Sequence, residues 1–374
     1  MPSKPRPPKR VRTAQKVLDD ALRHQIYLDR LKSAMVQDFD RAVAEVTRRT
    51  TAILADLESG NLGALTRLEL NKTLASLRAS QLEIYAAQTG RLVEQLDQVA
   101  LYSAGREVKA LDTWASDAAK KAKIVTPSAS TVLSTVANTP ISATGELLDG
   151  FLKNYTAAST KRLEGAIRNG WAQGKTVGEM VRDIKGTKAK NYKDGILHKK
   201  DRQSAEAVVR TSVQHVANTA RSAAWEANSA KKGGPVKGYI WVSTLDGVTT
   251  STCRSLDKQR FELNRGPLPP IHINCRSTTI ADLGPEFAFL DEGATRSAAS
   301  GPVDAGNTYY DWLKTQNRSF VEDAIGAKRA QLFLDGGLST EDFARLNIGK
   351  NFEPLTLKEM KEKDAAAFER AGLK

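Results

Sequence analysis

Leu18, Leu22, Ile26, Leu31, Met35, Phe39, Val43, Val46, Ile53 and Leu57 recur mostly at steps of three and four. That spacing lays one apolar stripe along a helix of about 40 residues, roughly 60 Å long. The stretch "ESGNLG" at 58–63 supplies a turn. A second stripe returns through Leu74, Leu77, Leu92, Leu96 and Val99. Residues 14–121 therefore read as an extended α-helical hairpin. A hairpin of this length needs a partner for its apolar faces, either later helices of the same chain or another protein.

The stripes sit in a chain of 374 residues, long enough for two or three modest domains. Hydrophobic content is 40 % but aromatic content only 6 %, which favours helices built on Leu, Ala and Val over an aromatic β core. Residues 122–149 turn rich in Ser and Thr, with Pro127 and Pro140, and read as a linker. Helices resume with "LLDGFLKNYTAASTKRLEGAIRNGW". Thr176, with Glu179 three residues on, predicts a capping box opening a short helix. A Lys-rich loop at 185–202 precedes a strong helical stretch, "RQSAEAVVRTSVQHVANTARSAAWEANSAKK", which "GGP" at 233–235 ends.

Three short strands are expected next, in "VKGYIWVSTLD", "QRFEL" and "RSTTIADL". They complete a compact α+β unit over 150–285. Residues 286–308 have the composition of a flexible linker. Residues 309–374 form a helical extension, with Gly336 and Gly337 at a helix end and Ser339, Glu341 and Asp342 opening the next helix. The fold class is mainly α with a small α+β central domain. No internal repeat of fixed period is visible.

The formal charge is +13, so an anionic partner is expected, nucleic acid first. Residues 1–13 read as a disordered basic arm, with Lys4, Arg6, Lys9, Arg10 and Arg12 set among four prolines. Together with Lys185, Lys188, Lys190, Lys193, Lys199 and Lys200 of the loop they are candidate contacts to DNA phosphates. No apolar run approaches the roughly 20 residues that span a bilayer. The first residues lack the apolar stretch of a secretory signal, so synthesis and first action in a cytoplasm are expected.

Two cysteines cannot make a disulfide framework. Yet Cys253, His272 and Cys275 fall within 23 positions of one another, in a chain with only four histidines. Soft and borderline donors in this number suit zinc, with Asp246 or Asp257 as a fourth ligand. The spacing, Cys-x18-His-x2-Cys, is not that of a standard finger. A disulfide, which a cytoplasm disfavours, and a pair of plain buried thiols are the alternatives, with His272 hydrogen-bonded to a carboxylate such as Asp246. No oxyanion-forming segment flanks either cysteine, and no P-loop, HExxH or GxSxG motif occurs, so no catalytic residue is assigned.

The run helix, strand, Asp, Cys, then Pro-Pro-x-His-x-x-Cys-Arg resembles the phage Mu F-like minor head proteins, also called phage head morphogenesis proteins. The residues that carry the resemblance are Arg210, Thr211, Asn218 and Arg221 on the helix, Trp241, Asp246, Thr249, Cys253, Leu256 and Phe261, and then Pro270, His272, Cys275 and Arg276. It covers about 150–285. The chain departs from the pattern at Ser212, Lys258 and Ser277, where the family often has an acidic residue, Gly and Cys. The last of these removes a second thiolate from the return segment.

The resemblance implies a virion component at the portal vertex of a tailed phage. Its implied partners are the portal protein, the major capsid or scaffold protein, and double-stranded DNA contacted without sequence preference during packaging, retention or ejection. Two other classes compete. One is a particle-delivered effector enzyme of nuclease or ADP-ribosyltransferase type, which would need clustered active-site residues. The other is a zinc-knuckle nucleic-acid-binding protein, which would need aromatics interleaved with its basic patches.

Overall fold

The computed structural model describes residues 9–57, 66–117, 123–284 and 293–373, with only the backbone of 9–18 and 115–117. Helix α1 runs Lys9–Ala55 and α2 Arg67–Asp117. They lie antiparallel, because cross-helix contacts pair rising with falling numbers. Arg49 meets Glu83 at 2.8 Å, Asp38 accepts from Gln95 at 3.2 Å, His24 meets Ser103 at 3.0 Å and Asp20 meets Arg106 at 3.1 Å. The turn expected at 58–63 lies outside the described residues, as do Lys4 and Arg6. Helix α1 already begins at Lys9, so Lys9, Arg10 and Arg12 stand on helical backbone and not in a disordered arm.

The second stripe is buried as expected at Leu74, Leu77, Leu92, Leu96 and Val99. The first is buried at Met35, Phe39, Val43 and Val46, but Leu22 and Ile26 are 45 % and 46 % exposed. The buried seam of α1 instead passes through His24, Leu28 and Lys32. Polar side chains can occupy it because each finds a partner: Ser103 for His24, and Asp29 and Gln214 for Lys32.

Residues 123–149 are not a bare linker. Ser128 caps α3 (Ala129–Asn138) by accepting from the Thr131 amide, and Val132 and Val136 are buried. Helix α4 (Leu148–Ala172) places Tyr155 edge-on to Phe39 and Tyr85, with ring centroids 5.5 and 5.8 Å apart. Helix α5 (Val177–Lys185) opens with the expected Thr176–Glu179 capping box. Helix α6 (Arg202–Ala227) is the centre of the molecule: every residue from Thr211 to Trp225 is buried. Its Val209, Val213, Val216 and Ala220 share one hydrophobic cluster with α1, α2, α3 and α4.

The three expected strands are present as β1 (Gly238–Val242), β2 (Arg260–Glu262) and β3 (Thr278–Asp282). They form an antiparallel sheet in the order β2-β1-β3, with Tyr239 opposite both Phe261 and Ala281. Helix α7 (Ser251–Leu256) lies between β1 and β2.

The segment expected as a flexible linker carries a hairpin, β4 (Thr295–Ala298) and β5 (Gly301–Asp304). It is held because Arg296 is buried against Asp257 at 2.8 Å, a single charged anchor inside a Gly/Ala/Ser-rich stretch. Six short helices follow: α8 (Tyr309–Lys314), α9 (Arg318–Ile325), α10 (Ala327–Asp335), α11 (Thr340–Leu346), α12 (Leu357–Lys363) and α13 (Ala365–Arg370). Gly336 follows α10 and Ser339 caps α11, as the sequence predicts. Among the described residues no helix is long and apolar enough to cross a membrane.

Candidate metal centre

Helix α7 presents Cys253 from one side, and the return segment "PPIHINC" presents His272 and Cys275 from the other. The return is shaped locally. Pro269 and Pro270 are buried, Asn274 takes a left-handed φ of 61°, and the Cys275 amide donates to the His272 carbonyl at 3.1 Å. It is also tied to α6. The Asn274 amide donates to the Thr211 hydroxyl at 3.2 Å, and the Gln214 amide group donates to the Ser277 carbonyl at 2.6 Å. On the opposite side Ser243 accepts from the Trp241 indole at 2.9 Å and donates to the Cys253 carbonyl at 2.5 Å.

These ties bring three donor atoms together. The Cys253 Sγ lies 3.3 Å from His272 Nε2 and 3.8 Å from Cys275 Sγ. All three atoms fall within 4.8 Å of one another. Both sulfurs are buried and the imidazole is half-buried. His272 Nδ1 faces the Ile273 carbonyl at 2.9 Å, and donation there leaves the Nε2 lone pair aimed at the sulfurs.

The charge states follow from this packing. Donation by the Cys253 thiol, together with the neighbouring imidazole, draws the Cys275 pKa well below that of a free thiol. The same Cys275 interaction, with burial, pushes Cys253 up. Burial opposes charge on His272, but Cys275 outweighs it and the pKa is raised. The cluster can thus share a proton or hold a cation; a disulfide would need its sulfurs about 2.05 Å apart.

Asp246 is not part of it. Its carboxylate pairs with Arg276 at 2.7 Å and accepts from the Val248 and Thr249 amides at 3.0 and 2.9 Å. Burial works against its charge, yet Arg276 and these donors hold its pKa below the usual value. Asp257 is likewise committed, to Arg296 and to the Ser243 amide at 2.7 Å. Among the described residues no other Cys, His, Asp or Glu joins the three.

Of the remaining motif residues, Thr211, Trp241 and Pro270 are buried supports, whereas Arg210 is exposed and pairs with Glu206 of its own helix at 2.7 Å. Sequence reasoning did not find Ser243, Gln214 or Arg296, since nothing in their local spacing marks them. The Lys loop is a defined shape: the Thr187 amide and hydroxyl both donate to Asp194 at 2.8 Å. Gly186, at φ 91°, packs where a Cβ would lie 2.7 Å from the Gly195 backbone. Lys185, Lys188, Lys190, Lys193, Lys199 and Lys200 are all exposed and none forms a salt bridge among the described residues.

Residues 161–280 match the family model described as Phage Mu protein F like protein. No curated protein and no solved structure matches the chain. The matched segment runs from α4 to β3 and contains α6, the sheet and all three donor residues. Across residues 161–280 the chain is thus similar to the phage Mu F-like head morphogenesis proteins.

Proposed function

We propose that the protein is a minor head component of a tailed phage, seated at the portal vertex and contacting double-stranded DNA without reading its sequence. The family match carries the head assignment. On this reading the protein assembles in the host cytoplasm and resides in the virion, with the portal protein and the major capsid or scaffold protein as neighbours. The DNA contact rests on the loop between α5 and α6, whose exposed lysines have no carboxylate partner among the described residues and so remain available to phosphates. Tyr192, 38 % exposed with Lys185 4.8 Å from its ring, gives that loop one aromatic face. Helices of 47 and 51 residues offer long surfaces to other subunits. No catalytic role is assigned to any residue.

The test is affinity for two unrelated duplexes at two salt concentrations, for the parent and for Lys188→Glu/Lys190→Glu/Lys193→Glu. Equal affinity for both duplexes and a steep loss with salt are expected. The logarithmic salt slope should shrink by about 0.9 for each phosphate contact removed. A strong preference for one sequence, or no binding at low salt, overturns the DNA reading. Failure to co-purify with portal-containing particles overturns the location.

A further inference from the structure

We propose that Cys253, His272 and Cys275 bind one zinc ion as a three-residue set whose fourth position is held by water and faces solvent. The distances carry the first part. Two thiolates on one tetrahedral zinc, each about 2.3 Å from it, stand about 3.8 Å apart, and a thiolate and an imidazole nitrogen stand about 3.5 Å apart. The observed separations are 3.8 Å between sulfurs and 3.3 Å from Cys253 Sγ to His272 Nε2. The His272 ring is already oriented for this by its Nδ1 contact with the Ile273 carbonyl, the arrangement that metal-ligating histidines use to fix their tautomer. Hydrogen bonds from outside the cluster, at the Cys253 carbonyl and the Asn274 amide, fix both ligand-bearing segments independently of any ion.

The second part rests on what surrounds the three. Asp246 and Asp257, the two carboxylates nearest Cys253 in sequence, are paired with Arg276 and Arg296. No other Cys, His, Asp or Glu among the described residues stands with the three as a fourth ligand. The sulfurs are buried, but the imidazole is half-buried and its neighbours Ile273 and Asn274 are exposed, so solvent reaches the cluster from the imidazole side. Closed structural zinc sites use four protein ligands, whereas three protein ligands and a water are the pattern of open sites. The chemistry that fits the open position is a small donor, such as an anion or a neutral imidazole. This inference concerns the knuckle alone and does not depend on the DNA or portal reading.

The test uses the full chain as purified. Elemental analysis should find one zinc per chain. The cobalt-exchanged protein should show the visible bands of four-coordinate cobalt together with thiolate-to-metal charge transfer. Adding azide or imidazole should shift those bands as water is displaced. His272→Ala should weaken zinc binding by more than the 10- to 100-fold that loss of an outer-sphere partner costs. Asp246→Asn should leave the cobalt spectrum unchanged. Absence of stoichiometric metal with no charge-transfer band overturns the site. Bands indifferent to both azide and imidazole, or abolished by Asp246→Asn, overturn the open position and mean that a fourth protein ligand is present.

Discussion

Along α6 most buried side chains are small and polar groups run between them; in the C-terminal extension many of the buried side chains are large and aromatic. At the first, Glu107 of α2 accepts from Arg221 at 2.8 Å and from the Trp225 indole at 2.7 Å, and all three are buried. His24, Lys32, Gln214 and Asn218 continue the polar line. At the second, Phe333 and Phe343 lie 4.7 Å apart by ring centroid, and Tyr310 stands edge-on to Phe343 at 5.1 Å. Asn347 is the one buried polar side chain, besides the tyrosine hydroxyls and the Trp312 indole, among the described residues from 305 onward.

The difference has a physical reason. Stripes of Leu, Val and Ala on helices this long can slide by a turn and still bury similar surface, whereas Glu107 meets Arg221 and Trp225 in one register. Short helices around interlocking rings have no such freedom, because the shapes of the rings already select one arrangement.

The comparison can be broken most directly at Glu107. Glu107→Ala leaves Arg221 and Trp225 buried without their acceptor, and the expected loss is about 3–5 kcal/mol by denaturant unfolding. A loss under 1 kcal/mol would mean that the polar line does not hold the helices. Phe343→Ala should cost a similar or slightly smaller amount, about 3–5 kcal/mol, through the cavity it leaves. If the Phe343→Ala chain keeps the parent's stability, the extension is not packed as described.

Acid should separate the two regions. Burial, with the charges of Arg221, Arg106 and Lys32 behind it, lowers the His24 pKa to about 3. Burial likewise lowers His215 to about 4, and the extension from 293 to 373 has no histidine. A histidine depressed in the folded state binds its proton more readily when unfolded. The stability it contributes is therefore complete above about pH 6.5 and falls as pH drops towards the folded value. Each group contributes about 1.4 kcal/mol per pH unit within that window. Unfolding between pH 7 and pH 4.5 should weaken the hairpin core first, and His24→Gln should flatten the dependence. Alkali should not discriminate, because burial raises Tyr85 and Tyr155 in one region and Tyr309 and Tyr310 in the other.

The smallest effect is expected outside both cores. Lys188→Ala should change stability by no more than about 0.5 kcal/mol, while still reducing DNA affinity if the loop meets phosphate. A larger loss of stability would assign this lysine a structural role.

How much of this could be read beforehand depended on whether the determining partner was near in sequence. The α2 stripe, the Thr176–Glu179 cap, the Ser339 cap and the three strands of the sheet rest on local periodicity or local chemistry, and each is present. The α1 stripe was mis-phased at Leu22 and Ile26 because the true seam admits His24 and Lys32, whose partners Ser103 and Gln214 lie 79 and 182 residues away. The β4–β5 hairpin was hidden for the same reason, since Arg296 is held by Asp257 and the Ser243 carbonyl, both distant in sequence. The Cys–His cluster was legible because two cysteines and a histidine are conspicuous in this composition. The exclusion of Asp246 from it was not, since nothing short of the fold shows that Arg276 occupies that carboxylate.

Burial of α6 on all sides from Thr211 to Trp225 bears on where the chain can be divided. The segment that matches the Mu F-like family, 161–280, contains that helix but only part of its wrapping. The residues covering it from α1, α2 and α3, including Glu107 and Val136, lie outside the match. A fragment cut to the family boundaries would expose one flank of its own central helix and leave Arg221 without its carboxylate. The matched segment is thus smaller than the unit that folds, and the helix at its centre depends on a covering that the segment does not contain.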